Sequence, residues 1–166
     1  MKNIGLLLLA LVPTVFGFFK GEELGRTARI KKALIAFFQT AQTQIKLYRR
    51  EQKSLFLNYE DKLLEKIGFL PLLREEVEKN PCLALNRALD ASCNRLSLSA
   101  AESNALTEFS NNFGMQSQAS QLADFDKLLS VLNEENEKFR KDLQGRIKLN
   151  RTIGITAGLG IYILLI

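Results

Sequence analysis

The sequence has no histidine, only two cysteines and three prolines, and almost no charge at its two ends. Without histidine, imidazole acid–base chemistry and histidine-ligated metal sites are excluded. Cys82 and Cys93 are too few for a disulfide framework or a four-cysteine zinc site. On one helix they would stand about three turns apart, so we expect them to remain reduced thiols.

Charge is confined to the middle of the chain. The first nineteen residues carry one charge, Lys2, the last fifteen carry none, and the remainder holds 22 basic and 18 acidic residues. A chain of 166 residues has room for one domain of ordinary size. Its uncharged ends are unusual for a soluble globule, because an uncovered apolar tail favours aggregation.

These two apolar runs, residues 4–19 and 153–166, predict membrane helices. Both are shorter than the roughly 20 residues that usually span a bilayer, so we expect little tilt or local bilayer thinning. A cleaved signal peptide is the alternative for the first run, but Val15-Phe16-Gly17 is a poor cleavage site. The predicted domains are therefore a membrane helix at 1–19, a helical bundle at 20–152 and a membrane helix at 153–166.

Basic residues predict the orientation of this two-pass arrangement. Only Lys2 lies outside the apolar runs, whereas ten basic residues lie close to their inner ends: Lys20, Arg26, Arg29, Lys31, Lys32, Arg140, Lys141, Arg146, Lys148 and Arg151. The positive-inside rule then places residues 20–152 in the cytoplasm of a protein of the cell membrane.

Helical periodicity predicts an all-α fold. Apolar residues recur at helical spacing from Ile30 to Tyr48, and a coiled-coil-like heptad stripe runs from Leu122 to Leu143 with Asn136 as a polar residue that fixes register. We expect two long antiparallel helices, each continuous with a membrane segment, in a membrane-anchored bundle. Shorter helices should cover about 57–67, begin at Pro71 and at Pro81, and run from the Ser99 capping box to Asn112, with Gly114 as a left-handed cap.

No motif predicts catalysis, a cofactor or a metal site, so we expect a protein that is not an enzyme. Glu75, Glu76 and Glu78 are best explained as a solvated helix face. A net charge of +5 without a recognition motif also gives no reason to expect nucleic-acid binding.

Two residue groups are candidates for contacts with other proteins. The basic residues Lys46, Arg49, Arg50 and Lys53 form either a solvated helix end that pairs with acids such as Asp124 and Asp126, or a docking surface for an acidic partner. Small residues four apart allow close helix packing in lipid. Gly154 and Gly158 have this spacing, and they would face Gly5 and Gly17 of the first helix or a helix of another protein.

The tail from Lys148 to Ile166 resembles the end of the stage III sporulation protein AB family of endospore-forming bacteria. Gly5 and Gly17, the segment Gln44-Ile45-x-x-Tyr48, and Phe113-Gly114 before the final helix fit that family in order along the chain. Gln44 stands where the family usually has an acidic residue.

The resemblance implies a scaffold similar to the inner-membrane platform protein of type II secretion systems. Such a protein belongs to the complex between mother cell and forespore, in the mother-cell or outer forespore membrane, with other membrane subunits. A secretion-type ATPase is the implied partner, and it would dock around Lys46–Lys53 and Phe113–Ser117. Whether the protein forms a homo-oligomer is left open. The alternative to the scaffold function is an exported or signal-anchored helical binding protein with a C-terminal membrane anchor.

Overall fold

The computed structural model describes residues 2–48, 52–113 and 117–165, and this part of the chain contains helices and no strand. The all-α prediction is confirmed. The helices are α1 Lys2–Tyr48, α2 Gln52–Asn58, α3 Lys62–Lys66, α4 Phe69–Lys79, α5 Pro81–Leu96, α6 Ala100–Asn112 and α7 Gln118–Leu165.

The two long helices are α1, with 47 residues, and α7, with 48. Their apolar stripes are buried, from Ile30 to Ile45 in α1 and from Phe125 to Leu132 in α7. Gln118 Nε2 donates to the Ile45 carbonyl oxygen at 3.0 Å, and Gln42 Nε2 donates to Asp126 Oδ1 at 2.7 Å. The end of α1 therefore lies beside the start of α7, and the helices run antiparallel there, as predicted.

The chain divides into two compact units. The first unit combines Met1–Ala28 with Lys138–Ile166, and the second unit is Arg29–Glu137. Among the residues that the structure describes, none of the helices is both long enough and apolar enough to cross a membrane. The domain limits predicted at residues 19 and 152 stay predictions.

The helix predicted at about 57–67 is wrong, because the structure has two separate helices, α2 and α3, in this region. Asp61 explains the break. Its Oδ1 accepts hydrogen bonds from the backbone N–H groups of Leu63 and Leu64, both at 2.9 Å, and so caps the start of α3. A short acidic side chain competes well for backbone N–H groups at a helix start.

The predicted start at Pro71 is also corrected, since α4 begins at Phe69 after Gly68, whose φ is +85°. Pro71 is the third residue of α4, within the first turn, where the missing N–H has no helical partner to lose. The other two starts are confirmed. Pro81 is the first residue of α5, and Ser99 forms the complete capping box with Glu102 at the start of α6.

An aromatic cluster forms the centre of the second unit. The rings of Phe37 and Phe38 lie 5.0 Å apart, and those of Phe109 and Phe125 lie 4.7 Å apart, in each case edge to face. Phe56 of α2 lies 6.0 Å from Phe37. Because these residues come from α1, α2, α6 and α7, the cluster joins the short helices α2 and α6 to the two long helices.

Both cysteines lie in α5. Cys93 is exposed and free. The expectation that Cys82 and Cys93 remain reduced thiols stays a prediction.

Candidate functional site

The predicted docking surface is described in part. Lys46 is exposed in the last turn of α1, and Lys53 lies in α2, where its side chain is not described. Arg49, Arg50 and Gly114 lie outside the described residues. The hydrogen bond from Gln118 to the Ile45 carbonyl places the basic end of α1 beside the start of α7, and the docking role of this end stays a prediction.

Phe113 lies in the core rather than on this surface. Its side chain is 3% exposed, and its ring centroid lies 5.5 Å from that of Phe56 and 5.8 Å from that of Phe125. Phe113 therefore stabilises the end of α6, and its role in docking stays a prediction. Asp126, which we considered as a partner of the basic cluster, accepts a hydrogen bond from Gln42. Its pairing with the basic cluster stays a prediction, because Arg49 and Arg50 lie outside the described residues.

A polar network, which the sequence did not reveal, crosses the core of the second unit. Lys31 Nζ of α1 pairs with Glu102 Oε2 of α6, and these side chains are only 5% and 2% exposed. Glu102 also accepts the Ser99 N–H, and Ser99 Oγ donates to Glu135 Oε2 of α7 at 2.9 Å. The buried ion pair thus joins α1 to α6, and the Ser99–Glu135 hydrogen bond joins the start of α6 to α7.

Sequence analysis counted Lys31 among the basic residues close to the inner end of the first apolar run, and the structure buries its side chain in the second unit. Lys31 precedes Leu34 by three residues and Phe38 by seven, so it lies on the buried face of α1. This helical spacing to apolar residues is the feature of the sequence that indicates the burial of Lys31. Asn136, the predicted register residue, is also buried, and its Oδ1 has no hydrogen-bond partner.

The acidic residues Glu75 and Glu76 belong to a surface ion-pair network. Lys79 Nζ lies 2.6 Å from Glu75 and 3.3 Å from Glu76, and Arg87 Nη1 of α5 lies 2.9 Å from Glu76 Oε2. The hydrogen bond from Arg87 is the main cause that lowers the pKa of Glu76. The hydrogen bond to Glu75 is the main cause that raises the pKa of Lys79. The network ties α4 to α5.

Burial and an aromatic environment affect one further titratable group. Tyr59 lies edge to face with Phe37 at 5.1 Å, and desolvation followed by the charge of Asp61 raises the pKa of its hydroxyl. In the described ranges, no three acidic or cysteine side chains are grouped as a metal ion would require.

Packing in the first unit involves a glycine that sequence analysis missed. A Cβ at Gly21 of α1 would lie 3.5 Å from Ile147 Cγ2 and 3.7 Å from Arg151 Nε of α7, so the two helices are in close contact there. Gly21 follows Gly17 by four residues, and this spacing of small residues is the feature of the sequence that indicates a helix–helix contact.

Of the predicted packing glycines, Gly154 is buried. The immediate surroundings of Gly5, Gly17 and Gly158 lie outside what the structure describes. Their role in helix packing therefore stays a prediction.

Both helices of the first unit expose large apolar side chains. Among the side chains that the structure describes here, Ile163 is 73% exposed and Val12 is 67% exposed. The others are Val15, Phe19, Leu149, Ile153, Ile155 and Leu159. A monomeric soluble protein rarely exposes so many large apolar side chains on one small unit.

Comparison with known proteins shows the relationship of the whole chain. Searches against curated proteins and against solved structures returned no match. The model of the family described as stage III sporulation protein AB matches residues 2–166. This match covers both long helices and the short helices between them, and the chain therefore belongs to the stage III sporulation protein AB family.

Proposed function

We propose that this sporulation protein is a non-enzymatic membrane scaffold. In this proposal the apolar runs at residues 4–19 and 153–166 lie in the mother-cell or outer forespore membrane, and residues 20–152 lie in the cytoplasm. There they dock a secretion-type ATPase and join other membrane subunits of a channel complex between mother cell and forespore.

The observation that carries the membrane part is the exposed apolar surface of the first unit. Side chains such as Val12, Phe19, Ile153 and Ile163 are between 54% and 73% exposed. In water this surface is unfavourable by about 25 cal/mol for each Å² of apolar area. Acyl chains would remove that penalty.

Charge supports the orientation. Basic residues are concentrated at the inner ends of the two apolar runs, within residues 20–152. The positive-inside rule assigns this region to the cytoplasm. The exposed free thiol of Cys93 also suits a reducing compartment, where unpaired cysteines persist.

The docking part rests on the basic end of α1. Lys46 is exposed there, and Lys53 follows at the start of the second unit's short helices. An acidic surface on the ATPase would complement these charges and guide association.

Thiol labelling in intact cells tests the orientation. With Cys82 and Cys93 replaced by serine, single cysteines are placed at Glu22 and Glu137 and treated with a membrane-impermeant maleimide. We expect labelling only after lysis. A cysteine at Lys2, on the opposite side, should be labelled in intact cells, and labelling of Glu22 and Glu137 before lysis would contradict the proposed orientation.

Co-purification tests the docking surface. Replacing Lys46 and Lys53 by glutamate should reduce recovery of the ATPase with the tagged full-length protein at least tenfold. The matched control replaces Lys62 and Lys66, two exposed lysines of α3, by glutamate and should leave recovery unchanged. Equal recovery with both pairs would show that the end of α1 is not the docking surface.

A further inference from the structure

A cleft of about 280 Å³ lies between α6 and α7 in the second unit. Phe109 and Leu128 are buried at its floor, and the half-buried residues Ala105 and Val131 form its walls. The short side chain of Ala105 leaves the space open. Sites for cofactors and drug-sized ligands usually begin at about 300 Å³, so this cleft has room for one or two amino-acid side chains.

The rim of the cleft carries more acid than base. Lys127 Nζ of α7 lies 2.6 Å from Glu108 Oε1 of α6, and both side chains are well exposed. Asp124 lines the same cleft, and its charge adds to the effect of Glu108 in raising the pKa of Lys127. Lys127 pairs with Glu108, and Asp124 adds a second carboxylate to the lining, so the charged residues of the cleft are net negative although the whole chain has a net charge of +5.

We propose that this cleft binds a helix of a partner protein that presents one aliphatic side chain flanked by lysine or arginine. The aliphatic group would pack on Phe109 and Leu128, and the cation would meet Asp124 and Glu108. Because exposed ion pairs contribute little stability, a partner cation can take over Glu108 from Lys127 at small cost. An apolar anchor with complementary charge at the rim is the usual way in which a groove recognises an amphipathic helix. This contact is separate from the basic end of α1.

Photo-crosslinking with the full-length protein tests the inference. Asn104, which is exposed beside the cleft, is replaced by the photoreactive residue benzoylphenylalanine in sporulating cells. The crosslinked peptide is then sequenced by mass spectrometry. We expect a segment of another protein with apolar residues at helical spacing and an excess of lysine and arginine. A crosslink to a second copy of this chain, a crosslink to an acidic segment, or no crosslink would overturn the inference.

Charge reversal makes the same experiment specific for the cleft. Glu108→Lys together with Asp124→Lys should lower the crosslinking yield at least tenfold. Glu78→Lys together with Asp90→Lys makes the same charge change on exposed residues of α4 and α5 and should leave the yield unchanged. Ala105→Trp, which fills the cleft without a change of charge, should also abolish the crosslink. Equal yields in all variants would show that the cleft does not hold the partner.

Discussion

Lys31 and Glu102 place two opposite charges in the core, where they form an ion pair. Removing two charges from water is unfavourable by several kcal/mol for each ion, and their attraction compensates only when the geometry is good. Glu102 gains a second partner in the Ser99 N–H, which satisfies the carboxylate further. The pair therefore fixes where α6 sits against α1 more than it adds to stability.

Lys31→Met should destabilise the second unit by about 3–5 kcal/mol, because Glu102 would stay buried without its cation. Adding Glu102→Gln should recover much of this loss, since glutamine can still serve in the capping box. Chemical unfolding of the full-length protein in micelles, followed by circular dichroism, measures both effects. Lys127→Met removes an exposed partner and is the control. An equal loss of unfolding free energy in Lys31→Met and Lys127→Met would show that burial of the Lys31–Glu102 pair does not affect stability.

Arg87 and Glu76 give the surface network a pH dependence. The pKa of Glu76 lies below its usual value of 4.5, mainly because of the hydrogen bond from Arg87. A folded-state pKa below the unfolded value stabilises the protein above the unfolded pKa, and this contribution disappears as the pH falls through the folded pKa. The network between α4 and α5 should therefore weaken only in acid.

Arg87→Gln should raise the titration midpoint of Glu76 toward 4.5, measured from the carboxyl carbon shift in NMR spectra. The stability difference between this variant and the natural protein should be present at neutral pH and should vanish in acid, where Glu76 is protonated. Lys66→Gln on α3 removes a positive charge elsewhere and should leave the midpoint unchanged. An unchanged midpoint in Arg87→Gln would contradict the assigned cause.

At the scale of the elements, the short connection between α3 and α4 depends on one backbone conformation. Gly68 has a φ of +85°, which residues with a Cβ rarely adopt. Its N–H bonds to the Glu65 carbonyl, and Arg95 Nη1 of α5 donates to the Ile67 carbonyl at 3.2 Å. The turn therefore redirects the chain while an arginine satisfies a carbonyl at the end of α3.

Gly68→Ala should destabilise the protein by about 1–2 kcal/mol, because the left-handed conformation is strained for alanine. The new Cβ would also lie 2.8 Å from Arg95 Nη1, so the arginine must move. Thermal unfolding measures the loss. Arg95→Met removes only the hydrogen bond to the Ile67 carbonyl and should reduce stability less than Gly68→Ala does. If both variants lose the same stability, displacement of Arg95 rather than backbone strain explains the effect.

At the scale of the whole molecule, the first unit depends on helices that are far apart in sequence. A Cβ at Gly21 of α1 would be in ordinary van der Waals contact with Ile147 of α7, so the helices leave room there for little more than a methyl group. Gly25, one turn further along α1, has no atom within 4 Å of a Cβ built on it. Two glycines of the same helix therefore have different roles, and they provide a matched pair of positions.

Gly21→Leu should separate the two helices of the first unit by several ångströms, because a leucine side chain has no space against Ile147. Gly25→Leu should leave the spacing unchanged. The measurement is the distance between spin labels at Glu22 and Lys148, with the native cysteines replaced by serine. An unchanged distance in Gly21→Leu would show that this glycine is not a packing contact.

The parts of the fold that sequence analysis predicted well depend on local signals. Ser99 and Glu102 are three residues apart, Asn80 directly precedes Pro81, and the apolar stripes repeat within one helix, so each can be recognised in a short window. The errors at 57–67 and at Pro71 arose where Asp61 and Gly68 interrupt an otherwise helical pattern. There the competition between side-chain capping and helix continuation is decided by the surrounding packing.

The sequence by itself determined the all-α class, the two long helices and the placement of charge, because periodicity and composition are properties of neighbouring residues. The tertiary structure decided that Lys31 meets Glu102, that Phe113 is buried, and that Ala105 leaves a cleft between α6 and α7. These features join residues from distant parts of the chain. Their positions follow from how the helices pack, and no local pattern specifies that packing.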